Sequence, residues 1–405
     1  MQSLFGILCL LGLAYLLSNS RKSINWRTVI SGLALQWVLA FIVLKTSFGA
    51  LFFDGAQKFV RGLIDIAKVA GKDIFGEATL GLDGGHAVFG AIVIVTVVFF
   101  SAMFTLLHHL GFVKILVGSM SKVMSKLMGT SGSESTVAAA NIFVGQTEAP
   151  LLVRPYLATM TRSELGAIMT VGFATVAGGV FAIYVEMMGT VVPDVAGHLL
   201  AATLMSAPMG LAIAKIVFPE TEISPTMGKD VSQPKSEYSN VLDATATGAS
   251  EGMKLSINIL AMLIAFLGVL GVINWLMGSV FGDDITLQSI LGTVFAPIAW
   301  LLGVPASEMT QVGALLGTKM AVNEYVAFIE LQRYSALGLS DASKIIASYA
   351  LCGFSNFSSI AIQIGGLSTI VPERRKEIAS LGLRAMLAGT LATYCTAATA
   401  SLFLT

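Results

Sequence analysis

The stretch SGSESTVAAANIFVGQTEAPLLVRPYLATMTR, residues 131–162, decides how this chain is read. It is mostly apolar, yet polar residues interrupt it at 133–136, at Asn141, at Gln146, Thr147 and Glu148, and at Arg154, with prolines at Pro150 and Pro155. A second stretch, 305–333, behaves alike, with Ser307, Glu308, Thr310, Gln311, Lys319, Asn323 and Glu324 set among apolar residues. The composition sets the solvent for both. Of 405 residues, 55% are hydrophobic and 12% charged, against about 25% charged in an ordinary soluble domain. The mean hydropathy is +0.81. Lys and Arg number 24, as do Asp and Glu. A net charge of zero excludes a bulk-basic nucleic-acid binder and an acidic disordered tail. The solvent is therefore a lipid bilayer. There, a carboxylate costs a few kcal/mol or more if unpaired, and it usually faces a pathway. Unwound backbone is tolerated only where protein or a water-filled cavity satisfies it. Two short helices meeting at a polar tip, a re-entrant hairpin, answer both demands in each stretch.

Apolar runs of about 20 residues mark bilayer crossings. They fall near 3–18, 28–48, 86–110, 164–188, 195–217, 254–280, 343–366 and 377–404, which makes eight. Arg21, Lys22 and Arg27 follow the first run and put that loop in the cytoplasm. Because these charges come after the run and no small-residue cleavage site follows, the run reads as a retained first helix. Alternation then places Lys114, Lys122 and Lys126, the 218–253 loop, and Arg374, Arg375 and Lys376 inside. Both termini lie outside. Had 131–162 crossed once, Lys122 and Arg162 would lie on opposite faces. Hairpins that return to their own side keep the charge rule intact, the first opening from the cytoplasm and the second from outside.

Between 50 and 78, Asp54, Lys58, Arg61, Asp65, Lys68, Lys72 and Asp73 recur at helical spacing, with Phe59, Leu63, Ile64, Ile66 and Val69 mostly on the other face. That pattern fits a helix lying in the membrane interface, in contact with lipid. Pro219, Pro225 and Pro234 among polar residues mark a cytoplasmic linker over 219–253. The expected organisation is a mainly scaffold segment 1–110, a first transport repeat 111–218, the linker, a long scaffold helix 254–280 and a second transport repeat 287–405. Order supports the repeat. Gly129 and Glu134 match Gly303 and Glu308 in spacing, Glu148 and Glu324 follow in turn, and Gly172-Phe173 and Gly353-Phe354 then interrupt a crossing in each half. The fold class is thus an all-α polytopic membrane protein. It has eight transmembrane helices, two oppositely oriented re-entrant hairpins in an inverted repeat, and interfacial helices. Broken helices at such a repeat interface commonly hold substrate and ions.

The polar tips offer neutral donors with two carboxylate acceptors. Gln146 and Thr147 both donate and accept and suit the edge of a heterocycle. Glu148, Glu324, Asn323, Asn356, Ser358 and Ser359 suit hydroxyls, and Phe354 and Phe357 offer a stacking face. Lys319 and Arg154 stand five or six residues from the tip glutamates, which argues against an obligate anion. Sodium favours neutral oxygens. Asn141, Val144, Thr175 and Val176, where the first hairpin meets the break at 174–179, can supply them. Proton coupling through Glu148 or Glu324 is the rival. Cys9, Cys352 and Cys395 form no CxxC, and no HExxH, GxSxG or Walker A string occurs, so nothing supports an enzyme. A carrier of another small polar solute, or a receptor or scaffold, stays open on these residues alone.

At Gly145-Gln-Thr-Glu-Ala-Pro150, Asn323-Glu-Tyr-Val-Ala-Phe328 and Gly353-Phe-Ser-Asn-Phe-Ser-Ser359 the sequence closely resembles the bacterial, sodium-coupled branch of the concentrative nucleoside transporter family. The resemblance covers nearly the whole chain. It implies a homotrimer in a bacterial inner membrane, with a scaffold and a mobile part working as an elevator that imports nucleosides on the Na⁺ gradient. It implies that Gln146, Thr147 and Glu148 engage the nucleobase, that Glu324, Asn356 and Ser359 engage the ribose, and that Phe354 lines the pocket. It assigns Na⁺ to Asn141, Val144, Thr175 and Val176, with Thr175 standing where Na⁺-coupled bacterial members carry Ser. The hydroxyl persists in that exchange.

Overall fold

The computed structural model describes residues 1–84, 87–231, 238–282 and 285–404. Gly85, residue 86 at the start of the third expected crossing, Pro234 of the linker and Thr405 lie outside the described residues. Every regular element among the described residues is helical. The first half runs α1 (Gln2–Leu16), α2 (Trp26–Lys45), α3 (Ser47–Phe75), α4 (Phe89–His109), α5 (Phe112–Met128), α6 (Gly132–Ala140), α7 (Arg154–Leu157), α8 (Arg162–Ala174), α9 (Gly178–Met188) and α10 (Val195–Val217). The second runs α11 (Val241–Phe281), α12 (Leu287–Leu301), α13 (Met309–Ala321), α14 (Glu324–Ala336), α15 (Asp341–Leu351), α16 (Phe357–Ile370) and α17 (Arg375–Leu404).

Six helical stretches among the described residues are long and apolar enough to cross a membrane: 26–45, 89–109, 162–188, 195–217, 241–281 and 372–404. The other two expected crossings differ from these. Helix α1 has 15 residues, about 22 Å at 1.5 Å per residue, short of a hydrocarbon core of about 30 Å. The run 341–370 is broken over five residues, 352–356, into helices of 11 and 14 residues, a longer break than the one at 175–177 within 162–188. The expected breaks at 172–179 and 353–359 both appear, at 175–177 and 352–356. The expected interrupted stretches become helix, turn and helix: α6 and α7 around 141–153, and α13 and α14 around 322–323.

Three helices, α5, α11 and α12, depart from the sequence reading. Helices α5 and α12 precede the two interrupted stretches, where no helix was expected. Helix α11 begins at Val241, inside the expected linker, because the Asn240 side chain caps it by accepting from Asp243 N at 3.0 Å. Its first turns bury Ala244, Gly248 and Gly252 against α4 while their polar neighbours stay outside. Helix α3 falls in the expected amphipathic segment, and its buried stripe is narrow: Val60, Ile64, Ala67 and Gly71. Phe59, Ile66 and Val69 are exposed rather than packed.

Burial separates two kinds of helix. On α11 the buried residues form one thin stripe of small and apolar side chains, while Ile257, Ile264, Val272 and Trp275 lie exposed. Apolar surface on both faces suits a lipid solvent. Helices α8, α9 and α10 are almost wholly buried, and so is α17 from Ala385 to Ser401. At their heart the two breaks touch. A Cβ on Gly353 would lie 2.9 Å from the Phe173 carbonyl oxygen and 2.8 Å from Thr393 Cγ2, so only glycine permits this approach.

At one end the starts of α6 and α8 form twin capping boxes. Ser131 caps Glu134 N while Glu134 accepts from Ser131 N; Thr161 and Glu164 do the same. Capping leaves both glutamates buried, and the tertiary fold satisfies them. Lys215 of α10 reaches Glu134 Oε2 at 2.7 Å and donates to Ser163 Oγ at 2.8 Å. The chain after α10 folds back over this base. Ser224 donates to Glu164 Oε1 at 2.6 Å, and Gly132 N donates to the Thr226 carbonyl at 3.0 Å.

Candidate functional site

A cavity of about 210 Å³ lies where the two interrupted stretches approach each other, walled on one side by α11. Gln146, Thr147, Glu148, Glu324, Phe354, Asn356 and Ser359 all line it, with Ser358 and Asn323. Local sequence explains how each side is presented. Asn323 caps α14 by accepting from Val326 N at 2.9 Å, which places Glu324 in the first turn. Asn356 caps α16 by accepting from Ser359 N at 2.8 Å. Two helix N-termini, with their partial positive charge, therefore begin at the cavity wall.

Glu324 is buried and accepts one hydrogen bond on each carboxylate oxygen. Tyr184 donates its hydroxyl to Oε1 at 2.8 Å, and Asn356 Nδ2 donates to Oε2 at 2.7 Å. Its remaining lone pairs are the site's strongest acceptors on this side. Ser358 donates to Asn356 Oδ1 at 2.7 Å, so its hydrogen is used within the cap. Phe357 is exposed and does not line the cavity. On the opposite side Gln146 is buried and accepts from Gln363 Nε2 at 2.8 Å, while the same Nε2 donates to the Met169 carbonyl at 3.0 Å. That bond fixes Gln146 Oε1 as acceptor toward Gln363 and leaves its amide nitrogen to face elsewhere.

Glu148 is accessible from the cavity. Its carboxylate sits over Gly145: a Cβ there would lie 2.2 Å from Glu148 Oε2 and 3.2 Å from Ala177 Cβ. Gly145→Ala is therefore expected to push the carboxylate aside without disturbing the fold, since the end of a flexible side chain moves at small cost. Ligand affinity should fall about tenfold or more, the size of one lost charge-assisted hydrogen bond, with the melting midpoint unchanged. Wild-type affinity in this variant would show that Glu148 has no fixed role.

The four residues expected to hold a cation lie at the first tip and the first break. Asn141 ends α6, is buried, and donates Nδ2 to the Val137 carbonyl at 3.1 Å, while its Oδ1 has no hydrogen-bond partner. Thr175 ends α8 and donates its hydroxyl to the Val171 carbonyl at 2.9 Å, which leaves its oxygen an acceptor. Val176 is buried in the break and Val144 half-buried in the tip. The tip meets the break: a Cβ on Gly178 would lie 2.8 Å from the Phe143 carbonyl oxygen. An orphaned buried amide oxygen among neutral oxygens fits a hard monovalent cation better than a transition metal.

Tyr184, Gln363 and the α11 wall, including Asn258, were not read from the sequence. Gln363 had a signal, since Asn356, Ser359 and Gln363 are spaced three and four apart on one helical face. Tyr184 and α11 had none, being apolar-run residues whose partner lies far along the chain.

Helices that suit lipid, enclosing a cavity lined by neutral polar groups and two carboxylates, define a membrane transporter for a small polar solute. Family models described as Na⁺ dependent nucleoside transporter N-terminus and C-terminus match residues 5–78 and 198–401. A nucleoside recognition model matches 91–191. The nucleoside permease NupC of Helicobacter pylori is 37% identical over 414 residues, covering 99% of this chain and 97% of the relative. CNTnw in an inward-facing substrate-bound state aligns with a TM-score of 0.93 at 42% identity, over 99% of this chain and 97% of that one. A variant of CNTnw in an outward-facing state aligns at 0.92 and 41%, over the same shares. The chain belongs to the concentrative nucleoside transporter family, the Na⁺-dependent nucleoside transporters, and Na⁺ is the coupling ion that this family implies.

Proposed function

We propose that this protein imports nucleosides by symport with Na⁺ and that the cavity between the two tips is the nucleoside site. The observation that carries this reading is the single cavity uniting Gln146, Thr147 and Glu148 with Glu324, Asn356 and Ser359, residues that are far apart in sequence. The tip 146–148 presents mixed donors and acceptors to the nucleobase edge. Glu324, aligned by Tyr184 and Asn356, accepts from ribose hydroxyls, and Phe354 covers one face of the solute. Na⁺ is held by Asn141, Val144, Thr175 and Val176, where it supplies positive charge beside the tip and orders it. Each ligand then raises the affinity of the other.

The helix order supports an inverted repeat: α5, α6–α7, α8–α9, α10 is followed by α12, α13–α14, α15–α16, α17. In this reading α6–α7 and α13–α14 are re-entrant hairpins opening from opposite sides, and α3 lies in the interface. The part holding both hairpins moves as an elevator against a scaffold that includes α4 and α11. The molecule is a homotrimer in a bacterial plasma membrane, with both termini outside.

Uptake of radiolabelled uridine into proteoliposomes is the test. An inward Na⁺ gradient should drive accumulation above equilibrium. Equal uptake with K⁺ in place of Na⁺ under a pH gradient would replace Na⁺ coupling by proton coupling. No uptake of any nucleoside would overturn the transport assignment.

A further inference from the structure

On the far side of the first tip lies a second cavity, of about 260 Å³. It shares Gly145, Glu148, Ala177 and Leu255 with the nucleoside cavity, so the tip itself is the partition between the two. Its chemistry differs from that of the first. Glu148 and Glu251 contribute two carboxylates, and no lysine or arginine is among its lining residues. Thr105 donates its hydroxyl hydrogen to the Ser101 carbonyl at 2.8 Å, so its oxygen faces any occupant as an acceptor. His108 and Tyr238 complete the polar part of the wall. Among the described residues no basic side chain lies within ion-pair distance of Glu251, which is exposed.

The position of Glu251 is fixed by packing. Gly248 and Gly252 flank it and rest directly on α4: a Cβ at these positions would lie 2.7 Å from Thr105 Oγ1 and 2.8 Å from Val98 Cα. The backbone carrying Glu251 therefore cannot drift from the cavity wall. Val144 and Gly178 also line the cavity. These are neighbours of the break at 175–177 and of the tip that begins at Asn141, whose buried Oδ1 has no partner. Two carboxylates and an acceptor hydroxyl oxygen, with no lysine or arginine among the lining residues, suit a cation. A carboxylate on a low-dielectric wall raises the local concentration of cations.

We propose that this second cavity is the cytoplasmic portal of the coupling cation, separate from the path of the nucleoside, and that Glu251 is the residue that draws the cation through it. The proposal rests on the reading that Na⁺ binds between Asn141 and Val176, and on the charge rule that sets the His109 end of α4 inside. Glu251 positions the cation electrostatically and is not one of its ligands.

The test is a Na⁺ titration of the melting midpoint of the purified full-length protein in choline-balanced buffer, without nucleoside, paired with uridine binding at saturating Na⁺. In wild type, Na⁺ should raise the midpoint. Glu251→Gln should shift the half-effective Na⁺ concentration upward by roughly tenfold, the effect of removing one nearby charge in a medium of intermediate dielectric. Its uridine affinity at saturating Na⁺ should stay within twofold. Glu251→Asp should restore the wild-type titration, and the midpoint without Na⁺ shows that each variant is folded. An unchanged titration in Glu251→Gln overturns the portal. So does weakened uridine binding at saturating Na⁺, which would give the cavity to the nucleoside. A wild-type protein that does not respond to Na⁺ overturns instead the reading on which the portal rests.

Discussion

Glu324→Gln is expected to weaken uridine binding by about 10- to 150-fold, the equivalent of about 1.5–3 kcal/mol for a hydrogen bond to a charged group. The size of the effect follows from the partners. Tyr184 and Asn356 both donate to Glu324, at 2.8 and 2.7 Å. A carboxylate accepts on both oxygens, whereas an amide presents a donor on one side. Glutamine therefore meets one of these two buried donors with its own NH₂, and it loses an acceptor for the ribose as well. Isothermal titration or scintillation proximity binding reads the loss directly. The loss should shrink for a nucleoside lacking the ribose hydroxyls, because wild type also lacks that bond there. Equal losses for uridine and its dideoxy analogue would show that Glu324 acts on the fold and not on the sugar.

The second large effect is on stability. Lys215→Met should destabilise the protein by about 3–5 kcal/mol, because it leaves the buried Glu134 carboxylate without its cation. Lys215 and Glu134 are 5% and 0% exposed, and they meet at 2.7 Å. Hydration that would screen a surface pair is absent here, so removing one partner strands the other. The melting midpoint in detergent should fall by several degrees. Adding Glu134→Gln should recover part of the loss, as expected of coupled neighbours. A midpoint equal to wild type in Lys215→Met would show that the pair contributes nothing. The same variant should leave uridine affinity in the folded fraction near that of wild type, because none of these residues lines the cavity proposed to hold the nucleoside.

Much of the lining of the candidate cavity was legible in the sequence. Glu148 and Glu324 stood out because a carboxylate in an apolar run needs a reason. Asn323 and Asn356 stood out as polar groups suited to hydroxyls, and the structure adds that each caps a helix. All seven residues expected to touch the solute line one cavity. The unread parts have a common cause. Helix α5 carries lysines and serines, and α12 is a short apolar run of 15 residues, so neither resembled a crossing. The start of α11 was taken as linker because Asp243, Thr245, Thr247 and Ser250 are polar. Only the stripe Ala244, Gly248, Gly252 reveals the helix, and small residues carry little hydropathy.

The sequence by itself determined the solvent, the places where helices must stop, and the residues that cannot be left unpaired at membrane depth. Those are local matters: hydropathy over about 20 residues, a cap at one position, a carboxylate among apolar neighbours. Tertiary structure alone decided which groups satisfy them. Tyr184 reaches Glu324 across 140 residues, Gln363 orients Gln146 across 217, and the chain after α10 closes over the capping boxes of α6 and α8. It also divided the space around the first tip into two cavities of different chemistry. Such pairings depend on how buried helices pack at contact distance, and no periodicity in a single chain records that.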